Sequence, residues 1–244
     1  MAARWLIVNA DDFGLTPGIN AGIVEAFERG VVTSASLMVR QPAAEAAAAY
    51  ARAHPALGLG LHIDLWESIP KDGDWVRLYQ HVPGDAESVT AEIAAQIERF
   101  RALVGRDPDH LDTHQHVHRL EPVKSAVLAA ARALGVPLRG EGPLRYLGGF
   151  YGQTGVGAPY PEGITPERLI ELIDALEPGV TEFGCHPGFV DADDPLGGTM
   201  YRVERNVEVR TLCDAHVRAR LARGDVVPCT YADAARMRCA ARWT

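Results

Sequence analysis

Short apolar runs alternate with stretches of helical period along nearly the whole chain, and this alternation limits the fold more than any other feature. Parallel strands need a long crossover between them, and a helix supplies it, so repeated strand–helix units point to a parallel sheet. Residues 5–10 read as a short buried strand, bounded by a polar turn at 11–14. Thr16 and Pro17 offer a cap and a favoured first helical position. Ile19, Ile23, Ala26 and Phe27 follow at helical spacing, and Gly30 closes that helix. The same reading places strands at 31–39, 57–65, 110–112, 136–139, 181–185 and 226–231. Helices fall at 42–54, 90–104, 123–134, from 165 onward, and at 207–223. Residues 66–88 and 140–163 show no period and read as long loops, the second holding eight glycines and three tyrosines. Loops of that length in a compact chain are usually lids or binding loops. The expected architecture is α/β: one domain over residues 1–244, folded as a (β/α) barrel or incomplete barrel. A doubly wound open sheet is the alternative, but the first turn lacks Gly-x-Gly-x-x-Gly, which argues against a dinucleotide site.

Charge narrows the choice of partner. The 24 Lys and Arg against 32 Asp and Glu leave a net charge of −8. Nucleic acids and anionic lipid surfaces both call for clustered cations, so neither is expected. A small neutral or cationic molecule, or a metal ion, suits this balance. Cys185, Cys213, Cys229 and Cys239 form no Cys-x-x-Cys pair and read as free thiols in a reducing compartment. The apolar run at 5–8 is too short for a signal peptide, and no stretch of 18 apolar residues is present. A cytoplasmic protein is the expectation.

Four polar clusters fall at or just past the C-terminal ends of the expected strands: Asn9-Ala-Asp11-Asp12-Phe-Gly14, Gly60-Leu-His62-Ile-Asp64, Asp112-Thr-His114-Gln-His116-Val-His118 and Cys185-His186-Pro187-Gly188. In a parallel α/β fold those ends share one face, where active sites are built. Each cluster alone has a structural reading: Asp11-Asp12 as turn chemistry, His62 as a core histidine, His186 as a strand-end turn residue. The histidine run resists it, because an extended 114–118 would put all three imidazoles on one face. One Asp and two imidazoles suit Zn²⁺, Mn²⁺, Fe²⁺ or Co²⁺, and Mg²⁺ if waters complete its shell. Three protein ligands leave a position open for water and substrate. A spare carboxylate, Asp11, can take a proton from that water, and His186 can protonate a leaving group. His186 is expected to be protonated near neutrality, helped by carboxylates such as Asp191.

Taken in order, Asn-Ala-Asp-Asp-Phe-Gly, Gly-Leu-His, His-Leu-Asp-x-His-x-His-Val-His and Cys-His-Pro-Gly closely resemble the motifs of the YdjC-like carbohydrate deacetylases, from Leu6 to about Tyr231. That group includes chitooligosaccharide deacetylases and deacetylases linked to hopanoid biosynthesis. The resemblance implies a distorted (β/α) barrel, a divalent metal (Mg²⁺ in the family) and removal of acetyl from an N-acetylated amino sugar or short oligosaccharide. It matches Asp12, His62 and His114 to metal ligands and Asp11 to the catalytic base. His186 takes the general-acid position by analogy with related polysaccharide deacetylases. His116, His118 and Arg139, and the pair Arg205 and Glu208, occupy matching positions with supporting or substrate-binding roles. Where the family often continues with Leu-Thr-Ser, this chain has Leu212-Cys213-Asp214. Trp66 and Tyr151 in the long loops, with Trp75, Tyr146 and Tyr160, are candidates for stacking on sugar faces. A small N-acetylated sugar is thus the expected partner, and a homodimer is allowed.

Two other functions compete. Metal phosphoesterases and amidohydrolases also use His-x-His, but usually on the first strand, where this chain has Asp11-Asp12. A catalytically inactive sugar-binding protein would not need the intact set Asp11, Asp12, His62, His114 and His186.

Overall fold

Strand and helix alternate from the start of the computed structural model, which describes residues 3–190 and 199–241. The order is β1 (Arg4–Phe13), α1 (Pro17–Glu28), β2 (Ser34–Leu37), α2 (Ala44–Ala53), β3 (Gly58–Ile63), β4 (Trp66–Lys71), β5 (Asp74–Gln80), α3 (Ala86–Val104), β6 (Leu111–Thr113) and α4 (Val123–Leu134). It continues with β7 (Arg145–Leu147), α5 (Pro166–Asp174), β8 (Gly179–Cys185), α6 (Val203–Leu212), α7 (Ala215–Leu221), β9 (Val226–Pro228) and α8 (Tyr231–Ala241). The helix signals read from sequence act as expected: Thr16 accepts from the Ile19 amide, and Thr165 from that of Arg168. Gly105 and Gly135 end α3 and α4 in the left-handed conformation, which costs a glycine nothing.

All the main-sheet pairs are parallel, in the order β6-β3-β2-β1-β8-β7. β8 lines one edge of β1 over Arg4–Ala10. The other edge is shared, β9 pairing with its first three residues and β2 with Asn9 onward. Beyond β6, Leu138 makes a parallel bridge to Leu111. The sheet curls into a partial barrel, so that Arg139 at this end reaches Glu182 on β8, near the other end, at 2.6 Å. Helices cover the outside through fully buried residues such as Ile19, Ile23 and Ala48. Each large buried aliphatic contributes roughly 1.5–3 kcal/mol. The inside is polar: Asn9, Ser34, Ser36, His62, Asp112 and Arg139 are all buried there. Gly60 makes part of that interior possible, since a Cβ at this position would lie 2.3 Å from the His110 ring.

Several sequence expectations need correction. Residues 66–88 are not one loop, because β4 and β5 pair as an antiparallel hairpin. Its turn is Asp72-Gly73, both at positive φ (54° and 91°), a two-residue turn whose twist matches the strands it joins. Pro70 in β4 obscured the strand, yet a proline is tolerated in a two-stranded sheet with free edges. Residues 140–163 contain β7 and a 3₁₀ turn at Pro161–Ile164. The strand expected at 136–139 reduces to the Leu138 bridge. The helix expected over 207–223 is two, α6 and α7, broken where Asp214 accepts from the His216 and Val217 amides. The departure at Cys213-Asp214 therefore marks a helix break, and neither residue lines the cavity described below. No helix among the described residues is long and apolar enough to cross a membrane.

Candidate active site and metal centre

β1 delivers two adjacent carboxylates to one place. Successive strand residues face opposite sides, but the β1–β2 register shifts between Ala10 and Phe13, and Asp12 sits at φ 67°. A bulge of this kind re-aims side chains near sites, and Asp tolerates the left-handed region better than most residues. Both Asp11 and Asp12 consequently open onto one cavity of about 830 Å³, together with His62, His114 and His186.

Asp12, His62 and His114 bring one ligand atom each within 4.8 Å of one another. Asp12 Oδ1 lies 3.3 Å from His62 Nε2 and 3.2 Å from His114 Nδ1. Its other oxygen accepts from Arg205 Nη2 at 2.6 Å. Burial would raise the Asp12 carboxyl, but Arg205 and the two imidazoles hold it well below the usual range. His62 Nδ1 is tied to Asp112 Oδ1 at 2.7 Å, which fixes the ring and turns Nε2 to the site. Burial would push the His62 imidazole down, yet Asp112 and Asp12 carry it up to about 10. A second group, Asp11, His62 and Asp112, also lies within reach of one ion. Arg139 already donates to both of its carboxylates, and His62 Nδ1 is already bonded. The first group is therefore the one whose donors fit a divalent cation.

Asp11 is clamped. Arg139 donates to it through Nη1 at 2.6 Å and Nη2 at 2.7 Å, and Asn9 Nδ2 adds a third bond at 2.9 Å. Burial raises its pKa, but Arg139 and, less strongly, His62 pull it down, and the carboxyl ends below its ordinary value. His186 Nε2 stands 3.7 Å from Asp11 Oδ2. The His186 amide donates to Glu208, whose other oxygen accepts from Tyr201. Tyr151 stacks on Tyr201 at 4.5 Å and meets His186 edge-on at 5.4 Å. Against the expectation of a protonated His186, partial burial pushes its imidazole down to about 4, and Asp11 and Asp12 do not restore it. Asp191 lies outside the described residues.

The histidine run does not stay extended, so His114 parts from the other two, while the His116 and His118 rings meet edge-on at 5.7 Å. Gln115 and His116 adopt left-handed conformations (φ 52° and 53°) inside a 3₁₀ segment, His114–Arg119. His114 turns to Asp12, His116 Nε2 meets the Tyr146 hydroxyl at 3.2 Å, and His118 Nδ1 meets Thr113 Oγ1 at 2.7 Å. Among the other candidates, Trp66, His116, Tyr151 and Arg205 line the cavity, as do Trp75 and Tyr146. His118, Arg139, Glu208 and Tyr160 are not among its lining residues. Sequence reasoning gave no role to Asn9, Asp112, Glu67 or Glu182. The first two stood inside the quoted motifs, and Glu67 was hidden by the missed hairpin. Nothing in the sequence marks Glu182 apart from an ordinary strand residue.

Comparison with known proteins gives a consistent relation. A carbohydrate deacetylase of Geobacillus stearothermophilus is 36% identical, over 93% of this chain and 97% of its own length. A chitooligosaccharide deacetylase of Klebsiella pneumoniae (strain 342) is 35% identical, over 90% and 94%. A crystal structure from Enterococcus faecalis V583, provisionally described as a cellobiose-phosphate cleavage protein, superposes with TM-score 0.77 at 28% identity, covering 95% of this chain and 99% of that one. A family 4 acetyl xylan esterase from Clostridium thermocellum, in complex with a cobalt ion, shares the fold at TM-score 0.52 and 12% identity, over 96% of this chain and 91% of its own. The YdjC-like protein model matches residues 5–223, which takes in all four strand-end motifs, and the chain belongs to the YdjC-like family.

Proposed function

We propose that this chain is a metal-dependent carbohydrate deacetylase that hydrolyses the acetamide of an N-acetylated amino sugar or short oligosaccharide. The observation that carries the reading is one juxtaposition: the Asp12, His62 and His114 donors beside an Arg139-clamped Asp11, with His186 3.7 Å away on the same cavity. The named deacetylase relatives support the substrate class. A divalent cation held by those three residues would supply Lewis-acid chemistry at the acetyl carbonyl. Mg²⁺ is the cation proposed from the family resemblance, while two imidazoles in the set also suit Zn²⁺, Mn²⁺ or Co²⁺.

In this reading Asp11 takes a proton from the attacking water, and Arg139 keeps its carboxylate aimed. His186, neutral in the resting site, receives a proton across the short gap from Asp11 and passes it to the departing amine. Arg205 keeps Asp12 ionised and in place, and Glu208 holds the segment that carries His186. Trp66 and Tyr151 are proposed to contact the sugar. Residues 1–244 are taken as one deacetylase unit, supported by a family match that runs through most of the chain. Cys185, Cys213 and Cys229 are free thiols, which supports a reducing compartment such as the cytoplasm.

Acetate release from N-acetylglucosamine and from N,N′-diacetylchitobiose, with and without a chelator, tests the function. Release that depends on added cation is expected, and none from either sugar with any cation would sink the reading. Asp11→Asn is nearly isosteric and leaves the three donors intact. It should keep its metal while turnover falls roughly 10²–10⁴-fold. Loss of metal from that variant would make Asp11 a ligand instead.

A further inference from the structure

The two imidazoles of the proposed metal centre are not equally supported by the residues discussed so far. His62 has Asp112 bonded to the nitrogen that faces away from Asp12. The corresponding nitrogen of His114, Nε2, is buried with no hydrogen-bond partner. The nearest anion to it is Glu67 Oε2, at 3.8 Å. Glu67 is itself only 5% exposed, an unusual position for a carboxylate without a task.

The β4–β5 hairpin is built to put Glu67 there. Glu67 pairs across the hairpin with Tyr79, and the Tyr79 hydroxyl donates to the buried Asp64 carboxylate at 2.8 Å. Gln41 and His81 bond the same carboxylate, at 2.7 and 3.3 Å, so the hairpin is anchored at the end of β3. The register then slips between Glu67 and Ser68, leaving Leu78 as the extra residue of a bulge. Bulges beside sites re-aim a side chain and release backbone groups from the ladder. Ser68 uses both of its released groups on one neighbour: its amide donates to Gln115 Oε1 at 2.9 Å, and its carbonyl accepts from Gln115 Nε2 at 2.7 Å. Gln115 is the left-handed residue directly after His114. The hairpin thus grips the His114 turn through Ser68 and presents the Glu67 carboxylate to its ring.

We infer that Glu67, on the cavity wall, is a positioning residue for His114: its carboxylate orients the imidazole through the nitrogen that does not face Asp12, the part Asp112 plays for His62. The inference rests on Asp12, His62 and His114 being the cation ligands. Carboxylates behind metal-binding imidazoles fix ring orientation, and removing one typically costs 10–100-fold in metal affinity.

Titration of the metal-stripped full chain with Co²⁺, followed by visible absorbance and by competition with a chromophoric chelator, tests it. Glu67→Ala should bind Co²⁺ about 10–100-fold more weakly than the wild type, with an altered visible band. Glu67→Gln keeps the shape and an acceptor oxygen, so it should fold normally and fall between the two. Val76→Ala, exposed on the same hairpin, should bind as the wild type does. If Glu67→Ala keeps wild-type affinity and spectrum while Asp12→Ala binds nothing, the inference falls and the metal centre stands. An equal loss in Val76→Ala also overturns it, since the effect would then belong to the hairpin's folding. If the wild type binds no Co²⁺, or Asp12→Ala binds it undiminished, the metal centre itself is wrong.

Discussion

With its side chain wholly buried, Arg139 donates to Asp11 through both Nη atoms and reaches Asp112 at 2.8 Å and Glu182 at 2.6 Å. Only the planar fork of a guanidinium can serve three carboxylates in this way, and a lysine is a point charge on a flexible stem. Opposed effects meet at Asp11: burial, the largest, raises its pKa with help from Asp112, and Arg139 together with His62 brings the carboxyl below its ordinary value. Weakening the pull of Arg139 leaves burial less opposed, so the pKa must rise. Arg139→Lys should therefore move the acidic limb of kcat/KM to higher pH, and loss of aim should lower its plateau roughly 10²-fold. A pH–rate profile checks both, and an unmoved acidic limb would separate Arg139 from the proposed base, Asp11. His186 is the residue whose charge the surrounding fold sets differently from what its sequence neighbours suggest. Its neighbours in the chain do not show that its ring packs against Tyr151 and Tyr201, and that partial burial pushes its imidazole down. The alkaline limb of such a profile is accordingly not expected to be its titration.

Elements, more than residues, explain which parts of the site were legible. Asp11, Asp12, His62, His114 and His186 were readable because strand ends in a parallel sheet share a face, and both strand and motif show in the sequence. The opposite case is the β4–β5 hairpin, whose Asp72-Gly73 turn was a signal outweighed by Pro70 and by the lack of apolar alternation. The left-handed turn at Gln115 and His116 had no signal at all, since it is held by Ser68 from a distant strand. A tertiary contact also explains the glycine of the Cys-His-Pro-Gly motif. In α1, a Cβ on Gly22 would lie 2.4 Å from Gly188 Cα, so helix and His186 segment meet backbone to backbone. The Phe189 amide donates to the Gly18 carbonyl at 2.9 Å along the same contact. Gly22→Ala should force the His186 segment outward, at a cost of about 1–3 kcal/mol from overpacking. Turnover should fall more than cation affinity, because the three proposed metal donors, Asp12, His62 and His114, lie on other segments. Thermal melting with parallel Co²⁺ titration tests this, and an unchanged melting temperature would show that the contact relaxes freely.

At the scale of the whole molecule, the partial barrel is a layer of aliphatic helices around a charged interior, and its stability must follow pH in a way its surface does not dictate. Burial is the leading reason that His116 titrates down at about 3 and His118 and His186 at about 4. An imidazole lowered on folding stabilises the native state above its unfolded pKa of about 6.5, and that contribution is lost as pH falls from there toward 4. His62 and His114 run the other way, because Asp112 and Asp12 raise them against burial. Their contribution is complete below about pH 6.5 and is lost as pH climbs through their raised values. Asp11, Asp12 and Asp112, all lowered, enter only below about pH 4. The chelated protein should therefore be most stable near pH 6.5 and weaken on both sides. A bound cation requires His62 and His114 deprotonated, so it should lift the alkaline side more than the acidic one. His118→Gln removes one of the neutral imidazoles without touching the cavity. It should flatten the acidic side by up to about 1.4 kcal/mol per pH unit, one proton fewer taken up on unfolding. Urea midpoints from pH 4 to 10, with EDTA and then with Co²⁺, measure each of these slopes. A chelated protein that grows steadily more stable from pH 6.5 to 9 would show that His62 and His114 are not held protonated by their carboxylates.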